Sequence, residues 1–153
     1  MKICAIICEY NPFHNGHLHH LREAKRLSGA DAVLCIMSGN FVQRGESAIV
    51  DKFTRAKHAL MAGADAVIEL PVVFSTSNAE LFAKGAISVL SSVHAVEYLC
   101  FGCENANKTA FKLAAKYLNE EPREVSEKIR QLTASGMSFA KARANAWAGH
   151  IPF

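Results

Sequence analysis

Short runs of apolar residues alternate with amphipathic stretches along the first two-thirds of the chain. The runs are Ile3–Cys8, Ala32–Met37, Ala66–Leu70 and Val96–Phe101. Runs of this length that are rich in Ile, Val and Leu are typical of strands buried on both faces of a parallel sheet. The alternation therefore predicts the α/β class, with a Rossmann-like parallel sheet flanked by helices and joined by right-handed crossovers.

The segments between these runs carry apolar residues at helical spacing. Leu18–Ser28 is the first, and Gly29 is placed to end it as a C-terminal cap. Asp51 is the expected N-cap of a second helix. Ser77 and Glu80 have the spacing of a capping box at the start of a third helix. The predicted buried stripe of the second helix is Phe53, Ala56 and Leu60.

The last third of the chain has a helical pattern throughout. Ser138 is the expected cap of the final helix. We expect an α/β domain over residues 1–104 and a helical extension over 105–153, packed on that domain or continuing into a part absent from this chain. The predicted stripes are Phe111, Ala114, Ala115 and Leu118, then Val125, Ile129 and Leu132, then Phe139, Ala142, Ala146 and Trp147.

Composition says more about the cellular compartment of the protein than about its function. The chain has 153 residues, half of them hydrophobic, which is enough for a domain with a core. Its apolar runs are shorter than a membrane span or a secretory signal, so we expect no membrane partner. Four of the five cysteines lie in apolar runs, which indicates buried thiols in a reducing cytoplasm. Cys100 and Cys103 form a C-x-x-C without a second pair, so the sequence predicts no metal site.

The net charge of +3 is unevenly distributed. Residues 101–153 carry eight Lys or Arg against five Asp or Glu, whereas residues 1–100 carry nine of each. This surplus fits a polyanionic partner, and it fits solvated helix faces equally well. Both interpretations stay open.

The densest polar motif, Glu9–His17, lies between the first apolar run and the first helix. The carboxyl end of a parallel strand is where open α/β sheets bind ligands. Pro12 stiffens the turn, and Gly16 permits close backbone approach. The following helix N-terminus offers N–H groups and a positive dipole end. Because His14 and His17 are three residues apart, both imidazoles lie on one helix face and can meet one anion. The motif therefore predicts a phosphate site.

A different interpretation of these histidines is a metal-binding or simply exposed cluster. His19 and His20 follow the motif directly, and a run of imidazoles is also a common metal-ligand pattern. The strand before the motif and the helix after it favour the phosphate site.

Three basic side chains are further candidates for anion contacts. Arg44 lies in the polar loop 38–46, where it could bind a phosphate or a carboxylate as a bidentate donor, or simply be exposed. Lys52 and Arg55 lie in the first turn of the second helix, where positive charge opposes the helix dipole. An anionic ligand explains that placement, and an ordinary surface position is the alternative. Glu69 lies inside the third run, so we expect it to be paired or to face a cleft.

Several stretches now point to one family. The His14-Asn15-Gly16-His17 signature between a strand and a helix resembles that of the nucleotidyltransferases that share the HIGH motif with class I aminoacyl-tRNA synthetases. The longer pattern resembles the bacterial tRNA(Met) cytidine acetate ligases over nearly the whole chain, in order. The stretches that carry it are 5–18, 37–46, 48–56, 63–71, 101–104 and 137–143.

The resemblance implies a HIGH-type nucleotidyltransferase fold and a two-step reaction. Enzymes of this family activate acetate with ATP and then acetylate N4 of the wobble cytidine of elongator tRNA(Met), with Mg²⁺ bridging the phosphates. By the same resemblance, His14 and His17 act on the phosphates as catalytic residues, and Arg44, Lys52 and Arg55 are candidates for phosphate, acetate or tRNA contacts. The residues that would bind ATP are Ile7, Cys8, Glu9, Tyr10, Asn11, Pro12, Phe13, His14, Asn15, Gly16, His17, Leu18, His19, His20, Leu21 and Gly102.

Two other functions fit parts of the pattern. One is a different nucleotidyltransferase on the same fold, which would transfer an adenylyl group to a small phosphorylated substrate; Gln43-Arg44-Gly45 and Ile68–Pro71 argue against it. The other is a shortened domain that binds nucleotide or tRNA without turnover. It is considered because members of the family normally extend well beyond the equivalent of Phe153. Ser47 and Cys103 stand where the family pattern leads us to expect proline and serine.

Overall fold

The apolar runs form the four strands of one parallel sheet in the computed structural model, which describes residues 1–104 and 106–148. The strand order is β3-β2-β1-β4, so the chain runs from β1 through β2 to β3 and then returns to place β4 on the other side of β1. The α/β prediction and the parallel sheet are confirmed. The strands are β1 (Ile3–Cys8), β2 (Ala32–Ser38), β3 (Ala66–Leu70) and β4 (Val96–Cys100).

Helices follow the strands as the spacing predicts. Gly29 ends the first helix in the left-handed conformation with φ 60°, which glycine adopts without a Cβ penalty. The helices are α1 (Asn15–Ser28), α2 (Lys52–Met61), α3 (Val72–Ser75), α4 (Ala79–Ser92), α5 (Lys108–Asn119), α6 (Arg123–Ala134) and α7 (Phe139–Trp147).

Two apolar cores lie on opposite faces of the sheet. Leu21 of α1 packs with Ile6 and Cys35 on one face. Leu90 of α4 packs with Ile36 on the other. Since side chains alternate along a strand, neighbouring residues of β1 and β2 serve different cores. The carboxyl ends of β1 and β2 therefore lie between helices from both faces.

The predicted inner face of α2 is right at Ala56, which packs against the first core, and wrong at the other two positions. Phe53 is 76% exposed and Leu60 is 46% exposed, whereas Arg55 and Ala59 are fully buried. A stripe chosen on hydrophobicity alone misses this orientation, because the helix buries a guanidinium that satisfies polar backbone groups at the strand ends. Asp51 is nevertheless the N-cap, as predicted, and its carboxylate accepts the N–H groups of residues 53 and 54.

The N-cap of α4 is Asn78 rather than Ser77. The Asn78 side-chain oxygen accepts the N–H of Leu81 at 3.0 Å, while the Ser77 hydroxyl donates to the carbonyl of Val73 at 2.7 Å. The short helix α3, which the apolar pattern did not predict, supplies that carbonyl. It shifts the start of α4 by one residue and removes the predicted capping box.

The chain divides into two compact units, Met1–Gly102 and Cys103–Phe153. In the second unit, Val125 and Ile129 of α6 pack with Ala146 and Trp147 of α7, as the spacing predicts. The predicted stripe of α7 is wrong at Phe139, which is 61% exposed. The predicted stripe of α5 lies along an apolar groove instead of a core, and α5 has no buried residue. The functional assignment of 1–104 and 105–153 stays a prediction. Within 1–104 and 106–148, no helix is both long and apolar enough to cross a membrane.

The correction at α4 can be tested by stability. We expect Asn78→Ala to lower the free energy of unfolding by about 1 kcal/mol, because a helix N–H loses its side-chain acceptor. Ser77→Ala is the matched control and should cost clearly less. Urea unfolding of both variants checks this, and a larger loss for Ser77→Ala would favour the capping box at Ser77.

Candidate functional site

Two histidines cap the first turn of α1. His14 is the N-cap, and its Nδ1 accepts the backbone N–H of Gly16 at 3.1 Å. His17 accepts the backbone N–H of His14 at its own Nδ1, 3.3 Å away. The arrangement is a capping box with imidazoles in place of the usual hydroxyl and carboxylate. The backbone N–H groups of His14 and Gly16 are therefore already bonded within the protein. Any donor that this turn offers to a ligand in their place comes from the imidazoles.

The two rings stack with their centroids 3.7 Å apart. Because each Nδ1 accepts a hydrogen bond, the bonding pattern assigns the proton of the neutral rings to Nε2. Both residues line one cleft, and the capping bonds leave the Nε2–H group of each neutral ring available as a donor. Gly16 makes room for the pair, since a Cβ there would lie 2.9 Å from Cε1 of His14.

The His17 ring prefers to be neutral. Burial lowers the pKa of His17, and the nearby imidazoles of His14 and His20 lower it further. Burial is also the main cause that lowers the pKa of His20. The N–H donor that His17 offers therefore does not depend on a protonated imidazolium.

Tyr10 supports His17 from below. It is 1% exposed, its hydroxyl lies 3.5 Å from Sγ of Cys35, and burial raises the pKa of that hydroxyl. The Tyr10 ring centroid is 4.8 Å from those of Phe13 and His17. Because Tyr10 is fixed in the core, it holds the His17 ring in place.

The motif also holds the loop that follows β2. Glu9 accepts the backbone N–H of Gln43 at 2.8 Å, and Asn11 accepts that of Ile49 at 2.7 Å. Both acceptors are side-chain oxygens of the motif. The two polar segments predicted as ligand loops are thus built as one unit.

Arg55 lies beneath this unit and has an environment different from the one expected. Its side chain is fully buried. Nε donates to the carbonyl of Val50 at 2.8 Å, and Nη1 donates to those of Glu9 at 2.6 Å and Ser38 at 3.1 Å. Nη2 donates to the carbonyl of Gly39. With its donors used in this way, Arg55 positions the strand ends rather than facing a ligand.

Lys52 is paired with an acidic side chain. Its Nζ lies 2.6 Å from Oε2 of Glu69, so the prediction that Glu69 is paired is confirmed. Lys52 and Glu69 line a small depression of about 200 Å³ beside α2 and do not line the cleft of the histidines.

The histidines line a cleft of about 700 Å³ at the carboxyl end of β1. Its size is within the range of small-molecule sites. Within 1–104 and 106–148, no group of three or more His, Cys, Asp or Glu is placed to hold a metal ion. The cleft is lined by Ile7, Cys8, Glu9, Tyr10, Asn11, Pro12, His14, His17, His20, Val42, Gln43, Arg44, Glu46 and Phe82.

The cleft takes in most of the predicted segment but not all of it. Leu21 is buried in the core. Gly102 is not among the lining residues. A Cβ there would meet no atom within 4 Å, so packing within the fold does not require glycine at this position. Four lining residues were not predicted for the site: Val42, Gln43, Glu46 and Phe82. Val42 and Phe82 are apolar and carry no chemical signal, whereas Gln43 and Glu46 lie in the polar loop from which Arg44 alone was chosen. The residues of the predicted ATP segment that do not line the cleft are Phe13, Asn15, Gly16, Leu18, His19, Leu21 and Gly102.

Comparison with known proteins identifies the family. The model of the HIGH nucleotidyl transferase family matches residues 1–151. The chain belongs to the HIGH nucleotidyl transferase family. The capping-box histidines of α1 are thus the two histidines of the HIGH signature as it stands in this chain.

The curated relatives of this HIGH nucleotidyl transferase include longer proteins. Those from Acetivibrio thermocellus and from Geobacillus sp. are both named tRNA(Met) cytidine acetate ligase. They are 49% identical over 146 residues and 50% identical over 147 residues, which is 95% and 96% of this chain. The chain spans 35% and 36% of their lengths.

Solved structures agree with the fold. The crystal structure of Thermotoga maritima TmcAL bound with alpha-thio ATP superposes with a TM-score of 0.89 at 45% identity, and the apo form superposes with 0.87 at the same identity. Both alignments cover 95% of this chain, and 35% and 34% of the Thermotoga chains. The HIGH-type fold predicted from the sequence is confirmed.

Removal of the buried guanidinium should destabilise the first unit. We expect Arg55→Met to lower the free energy of unfolding by about 3 kcal/mol or more, since several buried carbonyls lose their donors. Arg55→Lys should lose less, because one ammonium keeps the charge but cannot span the same acceptors. Urea unfolding measures both. A change within about 0.5 kcal/mol for Arg55→Met, as expected of an exposed site, would contradict this role.

The low pKa of His17 predicts a pH dependence of stability. Below about pH 6.5, the ordinary value for histidine, the unfolded chain binds a proton that the folded His17 resists. This contribution to stability is therefore complete above that pH and is lost as the pH falls through the lower folded-state pKa. His17→Gln should show a smaller loss of unfolding free energy between pH 7.5 and pH 5 than the unchanged chain. An NMR titration that places His17 above 6.5 would refute the assignment.

Proposed function

We propose that this chain forms the ATP-binding, acetate-activating part of a tRNA(Met) cytidine acetate ligase. The observation that carries the proposal is the pair of imidazoles of His14 and His17, whose Nδ1 atoms accept backbone N–H groups while both residues line a cleft at the carboxyl end of β1. The name that the curated relatives share supports it, and so does the similarity to the Thermotoga structure bound with alpha-thio ATP.

In the first step, a carboxylate oxygen of acetate attacks the α-phosphorus of ATP. An O–P bond forms, the bond between the α-phosphorus and the bridging oxygen breaks, and pyrophosphate leaves with the electron pair. No proton is transferred, so the protein needs no general base here. His14 and His17 would donate to phosphate oxygens whose negative charge grows in the transition state, and the built cleft would supply orientation.

In the second step, the N4 amine of the wobble cytidine of elongator tRNA(Met) attacks the acetyl carbon. The amine loses a proton and AMP leaves. The basic surplus of residues 101–153 fits a tRNA partner. Lys52, paired with Glu69, stays a candidate for contact with that partner. A tRNA partner in turn favours the cytoplasm.

Mg²⁺ would be held mainly by the phosphates of ATP. The described residues offer no cluster of three metal-ligating side chains, and Mg²⁺ commonly retains waters and takes its other ligands from substrate phosphates. Glu9 and Glu46 line the cleft, but Glu9 is already bonded to the N–H of Gln43. The ion would neutralise charge on the leaving pyrophosphate.

The donor role of the histidines can be separated from their capping role. His14→Asn keeps a good N-cap acceptor, and His17→Gln keeps the side chain that a capping box takes at this position. Both remove an imidazole Nε2–H. We expect each variant to keep its stability and to bind ATP about tenfold or more weakly, the loss of one hydrogen bond to a charged group.

Isothermal calorimetry with ATP and Mg²⁺ measures this, and His58→Ala, an exposed histidine of α2, is the matched control. Pyrophosphate release on addition of acetate tests turnover in the same samples. Unchanged ATP affinity in both capping-preserving variants would overturn the role of the histidines. ATP binding in the unchanged chain without acetate-dependent pyrophosphate release would favour a nucleotide-binding module instead.

A further inference from the structure

The structure separates the three basic candidates from one another. Arg55 is buried, and its guanidinium donates hydrogen bonds to backbone carbonyls. Lys52 is paired with Glu69 outside the cleft. Arg44 is exposed and lines the cleft, and in the part of the chain that the structure describes no side chain pairs with its guanidinium. Among the described lining residues it is also the one Lys or Arg.

The backbone of Arg44 is held in an uncommon conformation. Its φ is 69°, the left-handed region that non-glycine residues seldom adopt. Neighbouring bonds maintain it: the N–H of Gln43 donates to Glu9 at 2.8 Å, and the N–H of Gly45 donates to the carbonyl of Val42 at 3.0 Å. The N–H of Arg44 itself donates to the carbonyl of Ser77 at 3.4 Å. An arginine is thus kept where glycine would fit with less strain.

Arg44 and the two histidines reach the cleft from segments that are anchored on different faces of the sheet. His14 and His17 begin α1, which packs on the core of Ile6. Arg44 is bonded to the residue just before the N-cap of α4, which packs on the other core through Leu90. The cleft-lining segments are therefore anchored on different faces of the sheet. We call the segment anchored through α1 the histidine wall and the segment anchored beside α4 the arginine wall.

In-line displacement makes use of two walls. The attacking and leaving oxygens lie on opposite sides of the phosphorus. If the histidines bind the leaving phosphates, the attacking group would approach from the other wall, which carries Arg44. That group is a carboxylate, which the triphosphate repels, and a planar guanidinium binds a carboxylate through two parallel hydrogen bonds.

We propose that Arg44 binds the carboxylate of a small monocarboxylic acid substrate and so determines which class of molecule is activated. This inference rests on the proposed function, and it assigns to Arg44 the acetate rather than the phosphates. Val42 and Phe82 line the same cleft and provide apolar surface for the methyl group. A neutral isostere such as acetamide offers the guanidinium one acceptor oxygen and no negative charge, so it binds much more weakly than acetate.

The test uses the whole chain, Mg²⁺ and α,β-methylene ATP, which cannot be cleaved, so no turnover is needed. Calorimetry measures the Kd of the analogue, and saturation-transfer NMR on the acetate methyl group measures the Kd of acetate. Arg44→Gly fits φ 69° without strain, so its urea midpoint should not fall. We expect it to weaken acetate binding about tenfold or more and to change the Kd of the analogue less than about threefold, which is about 0.7 kcal/mol.

Two further variants sharpen the result. Arg44→Lys keeps the charge but loses the planar fork, so its acetate affinity should lie between those of the unchanged chain and Arg44→Gly. Lys57→Gln removes an exposed positive charge from α2 and should leave both affinities unchanged. Acetamide should not compete with acetate.

Each other outcome has a definite meaning. A large loss of analogue affinity in Arg44→Gly, with acetate unaffected, would make Arg44 a phosphate ligand and overturn the inference. Equal acetate binding in the unchanged chain and in Arg44→Gly would overturn it as well, while leaving acetate activation standing. An unchanged chain that binds the analogue but no acetate would refute the proposed acetate activation itself, and the inference with it.

Discussion

The buried guanidinium of Arg55 is the interaction on which the rest of the site depends. Parallel strands end with carbonyl groups that have no partner in the sheet, and burying them unpaired is costly. Arg55 brings together the carbonyls of Glu9, Ser38 and Val50. These belong to the end of β1, the end of β2 and the approach to α2. One side chain thereby sets the relative positions of a helix and of the two loops that line the cleft.

Burial of this cation has an electrostatic cost that the surroundings reduce. Loss of water lowers the pKa of Arg55, while the nearby Glu9, Asp51 and Glu69 act in the opposite direction. The described ion pairs include none between Arg55 and these carboxylates. The guanidinium is therefore stabilised mainly by its hydrogen bonds to backbone carbonyl groups. Such a centre suits a positioning role, since a guanidinium has several donors in a rigid plane.

At the start of α1, the residues of the candidate site also stabilise the fold. His14 and His17 use Nδ1 to cap the helix and retain Nε2 for the cleft. Their capping bonds fix both the tautomer and the ring orientation. The ring of Tyr10, packed against that of His17, also limits where the His17 ring can lie. Donors prepared in this way lose little freedom when an anion binds, which is the physical meaning of preorganisation.

Much of the fold and the core of the site followed from local pattern. The four strands, the caps at Gly29 and Asp51 and the histidine motif depend on short-range spacing, which a chain carries in its own order. The inner face of α2, the cap at Asn78 and the roles of Arg55 and Lys52 did not follow. They depend on which distant carbonyl or carboxylate each side chain meets, and spacing along the chain contains no record of that. The second wall of the cleft was likewise decided only when loop 38–46 folded against the α3–α4 region. The sequence by itself predicted an anion site after β1, and the tertiary structure decided that Arg44, of three similar cations, is the one that lines the cleft there.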